Sequence, residues 1–320
     1  MYLGIEIGGT KLQLGVGPGD GTLTALWRGS VDVPRGGDGI REQILKETPG
    51  LLERAGLARQ QIHGIGVGFG GPVDDADQTV IKSHQIAGWD GFPLAKWLTE
   101  LLGWPVALAN DADVAGLAEA LFGAGKGLSP IFYITIGSGI GGGLIINGEI
   151  YRGCGRGAAE IGHLRSPFLN NNKIVFSSVE AIASGWGIAG NAEFLADSTP
   201  AWHRSSLARK HRKEQAITAL TVVEAAKCGD EIATRVLTQA WAALAEGICH
   251  VIALLAPKRI VIGGGVSLMG DQVLFAPLRE MVAERVFQPF ANCYDIVPAA
   301  LGEEVVVHGA LALARKRFGG

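Results

Sequence analysis

Two glycine turns and a small set of carboxylates are the parts of this chain whose residue types and spacing could do chemistry. The first turn, Gly8-Gly9-Thr10-Lys11, lies between apolar runs at Leu3, Ile5, Ile7 and at Leu12, Leu14, Val16. The second, Gly137-Ser138-Gly139, lies between the apolar residues 131–136 and Leu144-Ile145-Ile146. Backbone N–H groups in such turns make anion-binding nests, and glycine lets a phosphate come close to the backbone. Two nests could grip a polyphosphate from both sides, with Glu6 holding Mg²⁺ through water. Two ordinary hairpins would look the same, so the turns alone leave both readings open. The remaining groups are Asn110-Asp111, Glu160 with His163, and Glu180. Polyhydroxy ligands need many fixed acceptors of this kind. Asp111 ends the apolar run Val106–Ala109 and begins a helical pattern. It is either a helix N-cap or a carboxylate aimed into a cleft at a strand end.

Competing motifs fail on context. The pattern GxGxxG occurs at Gly66, Gly137 and Gly185, but with 48 glycines in 320 residues a chance match is expected. A dinucleotide site also needs strand, turn and helix in that order. The Gly137 match runs into a strand and the Gly66 match into Pro72-Val73-Asp74, so a Rossmann dehydrogenase is not supported. A P-loop fails because Gly127 follows Lys126 and Ala120 stands where its first glycine belongs. There is no GxSxG elbow and no HExxH pair.

The elements that must position these groups follow from periodicity. Strand, glycine turn and strand occur twice in the first half, which suggests two related domains opening with the same hairpin. A helix is expected from Asp111 to a stop at Gly123, with Val114, Leu117, Ala118 and Leu121 inward. Ile232, Val236, Ala240, Leu244, Ile248 and Ile252, spaced by four, predict a long helix that ends at Pro257. It reads as a buried helix and not a membrane span, since Gln239, Glu246 and His250 interrupt it. The strand Arg259–Ile262 then meets Gly263-Gly264-Gly265, and this alternation predicts an α/β fold.

Composition bounds the rest. The length suggests two domains. Hydrophobic residues at 48% and charged residues at 18% exclude a disordered chain. A net charge of −3 gives no general basic surface for nucleic acid, although residues 201–215 are locally basic and read as a solvated face. The cysteines at 154, 228, 249 and 293 form no close pair, which argues against a disulfide framework and fits a reducing, cytoplasmic compartment. The N-terminus carries Glu6 within its apolar run and no basic stretch before it, unlike a signal peptide.

In family order, eight segments of the chain resemble the motifs of the ROK family (repressor, open reading frame, kinase). They are GIEIGGTKLQLGVG (4–17), GGPVDD (70–75) with GWDGFPLAKWL (88–98), VALANDADVAGLAEALFGAGKG (106–127), YITIGSGIGGGLIINGEIYRG (133–153), GAAEIGHL (157–164), EAIASG (180–185), IVIGGGVS (260–267) and AALGEEVVVHGALALA (299–314). The resemblance implies a two-domain actin-like, hexokinase-like ATPase fold with an inter-domain cleft. The smaller domain would hold residues 1–110 and 303–320, the larger 111–302. It implies an ATP-dependent, glucokinase-like sugar kinase that uses Mg²⁺ and works as a homodimer. Asp111 would be the general base. Asn110, Glu160, His163, Glu180, Gln85 and Gly71 would bind the sugar. Gly8, Gly9, Thr10, Lys11 and Gly137, Ser138, Gly139 would bind phosphate, and Gly263, Gly264, Gly265 adenosine. The other readings are a kinase for fructose, mannose, allose or an N-acetylhexosamine, and a binding protein without catalysis. Family regulators carry a helix-turn-helix segment before the first motif, which here begins at residue 4, so that reading is disfavoured.

The departures are as informative. Glu6 stands where the family usually has Asp, one methylene longer. His84-Gln85-Ile86 replaces the usual Pro-Asn-Leu, so Gln85 would have to serve for a sugar-binding Asn. Many members place a cysteine-rich zinc loop after the histidine, whereas residues 164–180 here contain no cysteine. No structural zinc is therefore expected, and metal analysis of the purified protein should find none in stoichiometric amount. One zinc per chain would show that this loop has been misread.

Overall fold

The computed structural model describes residues 1–83, 85–170, 173–198, 205–211 and 216–319. In chain order the elements are β1 (Tyr2–Ile7), β2 (Lys11–Gly17), β3 (Ala25–Ser30), α1 (Gly36–Arg54), β4 (Ile65–Phe69), β5 (Val73–Asp74), β6 (Thr79–Val80), α2 (Leu94–Leu102), β7 (Val106–Asn110) and α3 (Asp111–Phe122). Then come β8 (Ile131–Ile136), β9 (Ile140–Ile146), β10 (Glu149–Ile150), β11 (Arg165–Asn170), β12 (Lys173–Ser178), α4 (Val179–Ala183), α5 (Gly185–Ser198), α6 (Ser206–His211) and α7 (Ala219–Lys227). The chain closes with α8 (Glu231–Leu255), β13 (Arg259–Gly263), α9 (Ala276–Arg285), β14 (Asp295–Pro298) and α10 (Val305–Phe318). It divides into two compact units, residues 1–133, 143–159 and 299–320, and residues 134–142 and 160–298. Residues 111–133, 143–159 and 299–302 therefore group with the N-terminal strands. Of the basic stretch 201–215, residues 201–204 and 212–215 lie outside the described residues, as does His84.

The first sheet has the order β3-β2-β1-β4-β7. β1 pairs antiparallel with β2 and parallel with β4, and β4 pairs parallel with β7. The alternation of β1 suggests one wet face, but all six of its residues are buried. Leu3, Ile5 and Ile7 join a core with Ile40 and Ile44 of α1 and Leu98 of α2. On the other face Tyr2 packs with Val307, Leu311 and Ala314 of α10. Glycines permit that close approach. A Cβ on Gly66 would overlap the carbonyl of Ala310, and one on Gly309 would overlap the carbonyl of Val114 in α3. Much of the glycine excess in this unit thus brings a helix onto strands and onto a second helix.

The second sheet has the order β10-β9-β8-β13-β14, the same sequence of strand positions as the first. Its outer pairs repeat the pattern as well, with β10 and β9 antiparallel and β13 and β14 parallel. The twofold strand–turn–strand unit of the sequence thus opens two sheets of one topology. α8 is capped by Asp230, whose side chain accepts from the N–H groups of Ile232 and Ala233. It is long and apolar enough to cross a membrane by length and composition alone, yet 61% of its most apolar window is buried inside the protein. It ends at Ala256, whose left-handed φ of 42° stops the helix before Pro257.

Gly309→Ala separates two effects of opposite sign. Helix propensity favours alanine by about 1 kcal/mol. Overlap with the backbone of α3 costs more, since overpacking of this kind costs about 1–3 kcal/mol and a carbonyl cannot rotate away. The variant is expected to unfold at lower guanidinium concentration than wild type, and an equal or higher midpoint would overturn this account of the α3–α10 contact.

Candidate functional site

In the first unit the site follows from strand register. Ile7, Phe69 and Asn110 are neighbours across the three parallel strands. The chain therefore leaves β1, β4 and β7 at one edge, where open α/β sheets place their ligands. There the Gly70 N–H donates to the Ile7 carbonyl at 2.8 Å. A side chain on Gly70 would stand 3.5 Å from Asp111 Oδ2 and 3.6 Å from the Gly8 Cα. Gly8, Gly70 and Asp111 are thus gathered at this edge. Gln85 lies over Gly9, since a Cβ there would overlap its Oε1. Ile7, Gly8, Gly9, Phe69, Ile86 and Trp89 line a small depression at this edge.

The helix cap is Asn110 and not Asp111. The Asn110 side-chain oxygen accepts from the Ala112 N–H at 2.8 Å, and its Nδ2 donates to the Gly71 carbonyl at 3.0 Å. One amide therefore starts α3 and fixes the loop after β4. Asp111 occupies the first helical position, with Oδ1 also 2.8 Å from the Ala112 N–H. A carboxylate in the first helical turn is favoured by the helix dipole.

Glu6 lies on β1 directly across from Gln13 of β2. It is only 5% exposed. Lys11 Nζ lies 3.0 Å from Glu6 Oε1, and Gln13 Nε2 donates to Oε2 at 2.8 Å. The same two donors reach the Glu303 carbonyl, at 3.1 and 3.0 Å. Burial pushes the Glu6 carboxyl above its ordinary value, against the opposing pull of Lys11 and Gln13. Gln13, a polar residue at a buried strand position opposite Glu6, is a functional candidate that motif resemblance does not mark.

In the second unit, the Gly137-Ser138-Gly139 turn closes with the Gly137 N–H donating to the Gly139 carbonyl at 2.9 Å. Three neighbours hold it. The Gly185 N–H at the start of α5 donates to the Gly137 carbonyl at 2.8 Å. Glu180 Oε2 accepts from the Ile140 N–H at 2.8 Å, and a Cβ on Gly139 would fall 2.6 Å from the same oxygen. Gly264, with φ of 84°, lies so close to the Ile136 backbone that a side chain would meet it at 2.6–2.7 Å. The Glu160–His163 turn is drawn to the same place, because Gly162 packs on the Ile140 carbonyl. This unit therefore brings Glu160, His163, Glu180, the second glycine turn and Gly263–Gly265 together. Glu180, expected as a sugar ligand, has one oxygen committed to the turn. The segment after His163 forms the β11–β12 hairpin. Among the described residues no group of three His, Cys, Asp or Glu is placed to hold a metal ion.

The raised Glu6 value fixes a pH dependence. The folded chain holds this proton more tightly than the unfolded chain, so the resulting stability is complete below the ordinary value of 4.5 and is lost as pH rises through the folded value. Relative to Glu6→Gln, wild type should gain stability in chemical denaturation as pH falls through that window, then level off. A difference that stays flat across the window would show that the carboxyl titrates normally.

The ROK family model matches residues 2–317. A glucokinase of Thermotoga maritima is 30% identical over an alignment covering 99% of this chain and 98% of that protein. The crystal structure of a ROK hexokinase from Thermus thermophilus matches with a TM-score of 0.80 and 27% identity, covering 99% of this chain and 98% of the other. A ROK family glucokinase from Streptomyces griseus, solved in complex with glucose and AMPPNP, matches with a TM-score of 0.78 and 29% identity over 98% of this chain and 99% of that one. With sequence likeness along its length and close structural matches, this chain belongs to the ROK family and has the two-domain actin-like ATPase fold of that family's hexokinases and glucokinases.

Proposed function

We propose that this protein is an ATP-dependent sugar kinase, with glucose the first substrate to test and Asp111 the general base. The observation that carries the reading is the edge where Gly8, Gly70 and Asp111 meet, with Asn110 in the capping role. Asp111 follows directly on the end of β7, in the first helical turn. The glucokinase relative and the glucose–AMPPNP complex support the sugar-kinase reading.

In this reading a sugar hydroxyl gives its proton to Asp111 as its oxygen attacks the γ-phosphorus of ATP. The bond from that phosphorus to the bridging oxygen breaks, ADP leaves, and Asp111 keeps the proton until product departs. Phosphoryl transfer asks the protein mainly for positioning and charge neutralisation. The backbone N–H groups of the Gly8–Lys11 and Gly137–Gly139 turns that do not close the turns themselves, with Lys11, supply these for the phosphates. Gly263–Gly265 receive the adenosine. Asn110, Gly71, Gln85, Glu160, His163 and the second oxygen of Glu180 bond the sugar hydroxyls. The donor set at Glu6 suits magnesium held through water. It offers hard oxygens, each with a lone pair beyond the one used by Lys11 or Gln13. Bound there, the ion would neutralise charge on the phosphates.

ADP release with Mg·ATP should be measured over a panel of hexoses and N-acetylhexosamines, with Asp111→Ala alongside. A sugar-dependent signal is expected, reduced about 10²- to 10⁴-fold in kcat by the substitution, the usual worth of a general base. Wild-type turnover in Asp111→Ala would overturn the base assignment. Silence with every sugar, in protein that binds ATP, would favour binding without catalysis.

A further inference from the structure

The last of three carboxylates on α3 has no place in the chemistry above. Glu119 lies two turns beyond Asp111 and is fully buried, at 0% exposure. A buried charge is costly unless it is hydrogen-bonded. Here Oε2 accepts from the Ala124 N–H at 2.7 Å, and Oε1 accepts from the N–H groups of Ala300 and Leu301, both at 2.9 Å. The backbone is shaped to reach it. The N–H groups of Gly123 and Gly125 return to the Glu119 carbonyl at 3.1 and 2.9 Å, and a side chain on Gly123 would overlap Oε2. The glycines around Lys126, which gave a false hint of a P-loop, wrap this carboxylate.

What Glu119 holds leads to the phosphate turn. Two residues after Leu301 comes Glu303, whose carbonyl accepts from Lys11 Nζ and Gln13 Nε2, the donors that also grip Glu6. Lys11 and Gln13 are therefore held between Glu6 on one side and the Glu303 carbonyl on the other. The place of that carbonyl depends on the segment that Glu119 anchors.

We propose that Glu119 is a positioning residue that sets Lys11 and the first phosphate turn relative to Asp111, by tying residues 299–303 to the helix that carries the base. Glu119 acts through the Ala300 and Leu301 N–H groups and the Glu303 carbonyl. Its consequence for nucleotide binding rests on the kinase reading; the coupling itself does not.

Hydrogen exchange of the ligand-free protein tests the coupling. Glu119→Gln keeps the volume but sets an amide N–H₂ against backbone donors. Amides of residues 8–13 should exchange faster in the variant, together with those of 299–303. Unchanged exchange at 8–13 while 299–303 accelerates would overturn the proposal, because Glu119 would then be a local anchor only. The second readout is AMPPNP affinity by calorimetry. A loss of about 2- to 30-fold is expected, the range for couplings carried through packed networks. Combined with Lys11→Met, the two losses should be less than additive, whereas separate and uncoupled sites add. Full additivity would also overturn the proposal. Wild type that binds no AMPPNP, with the exchange coupling intact, would sink the kinase reading and leave the positioning role standing. Should Glu119→Gln fail to fold, Gln13→Leu removes one contact to Glu303 from the other end. It must then quicken exchange at 299–303, and silence there would count against the coupling.

Discussion

The parallel register of β1, β4 and β7 is the constraint on which the rest of the first unit depends. Parallel strands are covered on both faces, so this sheet must take a helix on each side. One face is covered by α1 and α2 and the other by α10, which explains why β1 is buried at every residue although its sequence alternates. The same register delivers three chain segments to one edge, with Ile7, Phe69 and Asn110 in line. Gly8, Gly70 and Asp111 become neighbours because the strands before them end together. Moving one strand by a single residue would exchange its inward and outward faces, so packing and site geometry cannot be altered separately.

A chain with few charges has buried or half-buried several of them, and each is satisfied differently. Glu6 is met by a lysine and an amide side chain. Glu119 is met by three backbone N–H groups without a cation. Glu180 gives one oxygen to the backbone N–H of Ile140. Glu119 and Glu180 hold backbone N–H groups at a loop or turn edge, whereas Glu6 is held by side chains of two β2 residues. Carboxylates accept at several lone pairs, so one side chain can fix more than one donor of an irregular segment. Glycine is the necessary companion, because Gly123 and Gly139 leave the room in which those oxygens sit.

Local pattern explains what could be read in the sequence. The hairpins at Gly8 and Gly137, the helices starting near Asp111 and Ile232, and the strand before Gly263 all carry their signals within a few residues. The motif resemblance supplied the candidate site, and the structure gathers Gly8, Gly71, Gln85, Asn110 and Asp111 in one unit and Glu160, His163 and Glu180 in the other. The choice between Asn110 and Asp111 as cap was not legible, since both are good caps and only geometry separates them. Nor was Glu119 legible. Two of its three partners lie 181 and 182 residues away, and all are backbone groups, so no side-chain type records the contact. Gly66 and Gly309 were hidden for a related reason, because what they avoid is a carbonyl on another element.

The repeated strand order lets the two sheets be compared strand by strand. In each sheet the first two strands enclose a glycine turn, and the fifth strand leads toward a helix, β7 to α3 and β14 to α10. The repeat thus supplies one candidate phosphate nest per sheet. The junctions after the fifth strands are unlike. After β7 stands Asn110-Asp111, where an amide caps the helix and a carboxylate follows it. After β14 stands Ala299-Ala300-Leu301, which has no side chain able to cap anything. Its N–H groups are satisfied from outside by Glu119, a residue of the first junction's own helix. A junction capped in this borrowed way has no carboxylate of its own at the strand end. The duplicated fold thus repeats its glycine turn in both sheets but follows only one fifth strand directly with a carboxylate, and the helix that begins with Asp111 also anchors the other junction.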